Sequence, residues 1–534
     1  MVLAFLIAGF TFFAGCSCGD DDDDDDSGDD DTLPVDDDDD LDDDETDDDT
    51  VPDWPDDDTG DDDTGDDDTG DDDTGDDDTV DDLFVADWPQ SNIETQDYDE
   101  NPSAGTMRLK AEDYDQFHLD WHQPYYGSTV GIVVFTDANR DTVSSYGDFG
   151  DSCIWTGTYA TSQAFRYYVT GEQEAKDNAI RAVTSLDRHL HVTGRPGFIA
   201  RYVAPQDAPE MYEAFGGDTW CEGHHSCHHI ESGDYAGDWW DGNTSRDQYT
   251  GWFLGMATVY DLVDDAPTRA MIAANVAEVL DELIANYWWI IDVDGQPTGA
   301  APNVLPPQQL NWALIGYHLT GEDRFKAEVQ KWIADDKRDY LRLMNITIMN
   351  RYGDYYGNNL GHQNFYSLLR LGKVYLGADD YAFLLDMFDT QTHSHTRLSH
   401  NAFFNAIHMS QGIYTPSKDE YQDQLEEDLG DFRDAPNTSY AVDPDDTALD
   451  PVSVFLHDLI VQYPFLGDLF GNIEPQTLDA HPVLQQCSTD FLWQRNPYRF
   501  EPCGTDNEAV TRPGVDYLVA YWMAAYHKFI DKAD

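Results

Sequence analysis

An all-α fold, helical hairpins closed into an (α/α) toroid, is predicted for residues 145–534, and three observations lead there. First, an aromatic-rich helix, a short break and an acidic second helix start recur. The pattern is Phe165-Arg-Tyr-Tyr-Val-Thr-Gly-Glu-Gln-Glu-Ala175, then Gly316-Tyr-His-Leu-Thr-Gly-Glu-Asp-Arg-Phe325, then Val374-Tyr-Leu-Gly-Ala-Asp-Asp-Tyr-Ala382. Val259-Tyr-Asp-Leu-Val-Asp-Asp-Ala266 is a looser copy. Thr-Gly followed by acids fits a helix end, a glycine stop and a new start that complements the helix dipole. Second, the flanks keep helical spacing, as in Ala179, Ala182, Val183, Leu186 and Leu190. Third, the roughly 450 residues after Leu83 exceed the usual size of one core, so a repetitive architecture is expected.

Ahead of the toroid the chain divides into three parts. Residues 1–15 are apolar and too short to span a bilayer, which takes roughly 20 residues. They end in Phe13-Ala14-Gly15 before Cys16, with a charged spacer beyond. This junction resembles a bacterial lipoprotein signal peptide, which implies lipidation of Cys16 and anchorage by lipid alone. In Gram-negative lipoproteins Asp after the Cys retains the protein at the inner membrane. Ser17 therefore implies the outer membrane or cell surface.

Residues 16–82 form the second part, an Asp-rich linker. Between 20 and 82 stand 40 acids and no base, with Asp-Asp-Asp-Thr-Gly repeated from Asp56 to Gly75. Such a tract cannot bury enough apolar surface to offset its ordering entropy, and self-repulsion extends it. It is expected to be a disordered tether reaching on the order of 200 Å at most. The remaining 69 acids against 28 bases argue against nucleic acid as a partner. Residues 83–144 are the third part, expected to form an N-terminal cap with one strand-like run, Val130-Gly-Ile-Val-Val-Phe135.

Export permits disulfides, and two local pairs stand out: Cys221 with Cys227 and Cys487 with Cys503. Cys221-Glu-Gly-His-His-Ser-Cys-His-His229 carries zinc-ligand types, but its spacing fits a disulfide-closed loop better. Asp137, Asn139, Asp141 and Asp148 fall at positions 1, 3, 5 and 12 of a candidate calcium loop. Thr142 stands where such loops place glycine, so an Asx-rich turn with helix caps is the favoured reading over calcium. No cofactor is otherwise required.

Glycoside hydrolysis needs one carboxyl to protonate the leaving oxygen and one to activate water or attack. Asp151 and Asp247 stand at predicted helix starts and are the candidate pair, although Asp151-Ser152 also reads as an ordinary N-cap. Asn359, His362 and Tyr366 share a helix face and suit a polysaccharide lyase, with Arg201 to pair a uronate carboxylate, although hydrogen bonds among packed inner helices are the favoured reading of the set. Asn401, Asn405 and His408 repeat that spacing. Trp155, Trp240, Tyr249 and Trp252 are candidate sugar-stacking rings, or else core.

Three blocks carry a family resemblance. They are Gly150-Asp-Ser-Cys-Ile-Trp-Thr-Gly-Thr-Tyr159 through Gly194-Arg-Pro-Gly-Phe-Ile-Ala-Arg201, Trp240-Asp-Gly-Asn-Thr-Ser-Arg-Asp-Gln-Tyr-Thr-Gly251, and Asp516-Tyr-Leu-Val-Ala-Tyr-Trp522 to His527. Together they resemble exported bacterial (α/α)6-toroid proteins related to polysaccharide-active enzymes. That resemblance implies a toroid with its site at one end of the ring. The group tends to read Asp-Thr-Ser-Ser-Asp-Glu where this chain has Asn243 and Gln248. The leading expectation is a surface-anchored, monomeric hydrolase of a polysaccharide. A lyase and a non-catalytic glycan-binding or structural lipoprotein are the alternatives.

Overall fold

A computed structural model describes residues 84–88, 106–205, 226–345, 355–414, 417–442, 448–470, 473–487, 495–500 and 502–530. The signal-like segment, Cys16, the Asp-rich linker and Cys221 lie outside them.

The described chain is mostly helical, with two small antiparallel sheets. The helices are α1 (Thr106–Trp121), α2 (Ser152–Thr170), α3 (Gln173–His191), α4 (Arg246–Leu262), α5 (Ala266–Ala285), α6 (Pro306–Thr320), α7 (Asp323–Ile333) and α8 (Arg338–Met344). They continue with α9 (Tyr356–Tyr375), α10 (Ala378–Met387), α11 (Ala402–Ser410), α12 (Lys418–Gly430), α13 (Pro451–Gln462), α14 (Phe465–Phe470) and α15 (Val515–Tyr526).

Burial sorts these helices into two kinds. α2, α4, α6, α9, α11 and α15 are buried almost all round. A helix apolar or packed on every side belongs to a core. α3 and α7 bury one stripe each, as periodicity predicts: Ala175, Ala179, Ala182, Val183, Leu186 and Leu190 in α3. The central helices pack α2 on α4, α4 on α6, α6 on α9, α9 on α11 and α11 on α15, α15 packs on α2, and α9 also packs directly on α4. The one-sided helices cover them, α3 on α2, α5 on α4 and α6, α7 on α6, α10 on α9, α12 on α11 and α1 on α15.

Hydrogen bonds fix the direction of the central helices. Starts meet starts: Gln248 of α4 bonds Ile154 N of α2, and Gln308 of α6 bonds Thr250 of α4 at 2.7 Å. Ends meet ends: Arg370 of α9 bonds Asp261 of α4, and His318 of α6 bonds Tyr375 of α9 at 2.8 Å. α2, α4, α6 and α9 therefore run parallel, giving the assembly a start pole and an end pole.

The predicted hairpin breaks form as local sequence dictates. Gly171 and Gly321 adopt φ of 68° and 70°, and their N–H groups bond Tyr167 O and Tyr317 O, each at 2.8 Å. Thr170 and Thr320 accept from Glu172 N and Glu322 N, each at 3.2 Å. The third break differs: Gly377 has φ −61° and precedes α10 as its N-cap. In the fourth, Asp265 caps α5 by accepting from Thr268 N at 3.0 Å.

Both sheets lie at the start pole. β1 (Ile132–Phe135), β2 (Val143–Gly147), β6 (Asn437–Ser439) and β7 (Asn507–Arg512) pair in the order β2-β1-β7-β6, with Val133 opposite Tyr146 on one side and Thr511 on the other. β3 (Tyr202–Pro205), β4 (Cys227–His229) and β5 (Asp238–Asp241) pair in the order β3-β5-β4. The expected strand at 130–135 is real, but its partners include strands near the C-terminus. The described residues of 83–144 are thus built into the same compact unit as the other described residues after 144.

Phe84–Trp88, the first described residues, strap the end pole. Ala86 N bonds Tyr375 O at 2.8 Å, Trp88 N bonds Tyr317 Oη at 3.0 Å, and Trp88 Nε1 bonds His318 O at 3.1 Å.

Candidate functional site at the helix starts

Asp151 precedes α2 and Asp247 is the second residue of α4, so both predicted carboxylates sit at adjoining helix starts. Their side chains are 27% and 24% exposed. The N-cap reading of Asp151 is corrected: its side chain makes no capping bond to its own helix. Gln248, one turn into α4, does this instead. Its Oε1 accepts from Ile154 N at 3.1 Å, while its Nε2 donates to Asp151 Oδ1 at 2.6 Å.

Arg201 lies beside this pair. Its Nη1 donates to Gly150 O at 2.7 Å and stands 3.7 Å from Asp151 Oδ1, and its Nε donates to Asn243 O at 3.1 Å. The guanidinium thus ties together the two loops that lead into α2 and α4. Asn243 adopts φ 49°, a left-handed conformation that Asn tolerates better than most residues. Near Asp247 the closest cation is Arg246, with Nε at 3.9 Å.

The candidate stacking rings are interior. Trp155, Trp240, Tyr249 and Trp252 are all fully buried. Tyr249 Oη donates to Gly197 O at 2.9 Å, Trp252 Nε1 donates to Leu186 O at 3.3 Å, and Trp240 stacks on His228 at 4.0 Å between centroids. Protein covers their faces, so in this conformation they frame the helix starts.

Asn359, His362 and Tyr366 are buried as well and are bound to different neighbours. His362 Nδ1 pairs with Asn358 O at 2.7 Å and its Nε2 faces His393 Nδ1 at 3.2 Å, with its ring stacked on Phe404. Asn359 Oδ1 accepts from Gln363 at 3.0 Å, and Tyr366 Oη meets His527 Nε2 at 3.2 Å. Of the repeat spacing, Asn401 caps α11 by accepting from Phe404 N, and His408 Nε2 bonds Asp389 at 2.8 Å.

The calcium reading is corrected. Asp137 and Asp148 fall at opposite ends of the β1–β2 hairpin, because β2 carries the chain away from the turn. Asp137 Oδ1 instead accepts from Asn139 N at 2.8 Å, an Asx turn, and Asp141 follows in the same turn. Among the described residues no group of three or more His, Cys, Asp or Glu is arranged to hold a metal ion. Cys487 and Cys503 form the expected disulfide, and Cys227 is disulfide-bonded. Cys153 is a buried free thiol that burial pushes far up from its ordinary value, which removes it as a nucleophile.

A carboxamide layer escaped sequence reasoning. Gln248 and Gln308 are third in α4 and α6, and Asn359 and Asn405 are fourth in α9 and α11. All four are buried. Gln308 Oε1, Asn359 Nδ2 and both amide atoms of Asn405 lack a protein partner. Asn or Gln about one turn into four of the six central helices was the signal available.

At the end pole lies a cavity of about 540 Å³ lined by Glu112, Asp115, Gln116, Arg166, Glu172 and neighbours. Arg166 pairs with Asp115 and Glu172, and Arg108 with Glu112 and Glu172. Burial, opposed by Arg166, pushes Asp115 up to about 6. This hollow lies within reach of several charges, yet its carboxylates are held in ion pairs around the α2–α3 turn. The partly exposed acids at the start pole are better placed for chemistry.

Comparison with family models, with curated proteins and with solved structures finds no match for the chain.

Proposed function

We propose that the chain is a surface-anchored, carbohydrate-active protein whose central helices close into a six-hairpin toroid. On this reading it hydrolyses glycosidic bonds at the start pole through Asp151 and Asp247. The series of helix contacts that returns to α2 supports the toroid. One observation carries the site. Asp151 and Asp247 are the partly exposed acids at two adjoining helix starts, and Gln248 and Arg201 join those starts. One carboxyl protonates the leaving oxygen while the other activates water. The acidic chain would repel a uronate polymer. His362 and Tyr366 are buried and Arg201 is engaged with backbone carbonyls, which weighs against the lyase.

A non-catalytic glycan-binding role is the second reading. It is favoured by Gln248, an amide standing against Asp151 where the resembling family carries a carboxylate. Anchorage through Cys16 at the outer membrane belongs to the same proposal. No helix among the described residues is long and apolar enough to cross a membrane.

The test is a polysaccharide panel with the purified protein. New reducing ends without ultraviolet absorbance are the expected result. Unsaturated uronates would mean a lyase, and retention on immobilised glycan without cleavage would mean a binder. Activity that survives in Asp247→Asn would sink the site assignment.

A further inference from the structure

We propose that Gln248 is a positioning residue that holds Asp151 ionised, so that Asp151 is the base. This rests on the hydrolase reading above.

The orientation of the Gln248 amide is unambiguous. Ile154 N can only donate, so the atom 3.1 Å from it is the amide oxygen. The other end is therefore the NH₂ group, and it donates to Asp151 Oδ1 at 2.6 Å. Gln248 is buried, and Ile154 N is one of the orphan donors at the start of α2. Both ends of the amide are thus committed. A donor facing Oδ1 favours the carboxylate over the acid, and Arg201 at 3.7 Å adds positive charge on the same atom. Gln248 rather than Asp151 supplies the side-chain cap at Ile154 N, and the Asp151 carboxylate is partly exposed.

The general acid of the hydrolase reading gives its proton to the departing oxygen as the glycosidic C–O bond breaks. Asp151 takes a proton from the water whose oxygen bonds the anomeric carbon. One water is consumed, and the two carboxyls return to their starting states through solvent.

The test uses the full chain and three variants, with thermal midpoints at pH 4.5 and pH 8 and reducing-end release from xylan, mannan and β-glucan. In Gln248→Glu at pH 4.5 a protonated Glu can donate to Asp151 and accept from Ile154 N, so the midpoint stays near the parent's. At pH 8 two carboxylates face each other, and the midpoint falls on the order of 2–4 °C. Gln248→Met loses a similar amount at both pH values. Asp151→Asn/Gln248→Glu recovers the midpoint at pH 8, because the new amide donates to the new carboxylate, but releases no reducing ends. In Gln248→Glu the acidic limb of the rate profile moves up by about one pH unit or more.

An equal loss for Gln248→Glu at both pH values, or no recovery in the double variant, overturns the bridge. An unmoved acidic limb in an active variant overturns the base assignment. A parent that cleaves none of the three polymers removes the hydrolase reading and the acid–base roles with it. The midpoints then still decide whether Gln248 and Asp151 are coupled.

Discussion

His362, His393 and His408 form a buried array from α9 to the surface acid Asp389. His393 and His408 stack at 3.9 Å between centroids, and His408 Nε2 reaches Asp389. Burial holds His362 down at about 3, and the same cause sets His122 and His527 at about 3 and His189 at about 4. In the unfolded chain each binds its proton near 6.5. The unfolded state therefore holds more protons below that pH. Stability is complete above about 6.5 and declines as pH falls toward 3–4. His362→Gln is expected to make that decline shallower by about one proton, ~1.4 kcal/mol per pH unit. Urea unfolding at pH 7.5, 6 and 5 measures the slope, and an unchanged slope would contradict a neutral buried His362.

Some residue roles were legible and others were not, and sequence distance explains the difference. The Thr-Gly-Glu breaks read correctly because each needs only a glycine φ and bonds within one turn. Asp151 misread as a cap because the group that caps α2 is 94 residues away from Ile154. Asp148 misread as a cation ligand because spacing cannot reveal that a strand separates it from Asp137. The aromatic residues were named, but only packing shows that their faces are covered.

At the scale of elements, α2 and α4 meet backbone to backbone. A Cβ on Gly157 would lie 2.0 Å from Gly251 O, and one on Gly251 would lie 2.5 Å from Ile154 Cα. No side-chain rotation relieves contacts with backbone. Gly157→Ala is expected to cost about 3 kcal/mol or more, read from chemical denaturation. Because these helices carry Asp151 and Asp247, displaced starts should also abolish any activity. Gly321→Ala acts at the other pole. It combines an unfavourable φ with a Cβ 2.3 Å from the Trp88 ring. The strap should detach, shifting Trp88 fluorescence toward that of exposed indole while the start pole is preserved. The short strands were largely illegible: three or four residues are too few to show alternation, and β1 finds β7 near the other end of the chain.

At the scale of the whole molecule, the helical class was legible because all-round burial needs apolar sequence and peripheral helices need periodic sequence. The parallel arrangement of the central helices was not, since it rests on side-chain bonds across 57 to 109 residues. The Cys487–Cys503 disulfide spans 16 residues in the C-terminal excursion that supplies β7. Removing it should lower stability by about 3 kcal/mol on the chain-entropy account. Denaturation of the parent and of Cys487→Ser/Cys503→Ser tests this while leaving the Cys227 disulfide intact, and equal midpoints would show that the bridge is energetically idle.

The strap has a mechanical consequence. Any tension on the chain before Leu83 enters at Phe84–Trp88 and is carried by Ala86–Tyr375, Trp88–Tyr317 and Trp88–His318. Those bonds grip the last turns of α6 and α9, at the pole opposite Asp151 and Gln248. A pull on the chain ahead of Phe84 would therefore load the last turns of α6 and α9 before it reached the helix starts.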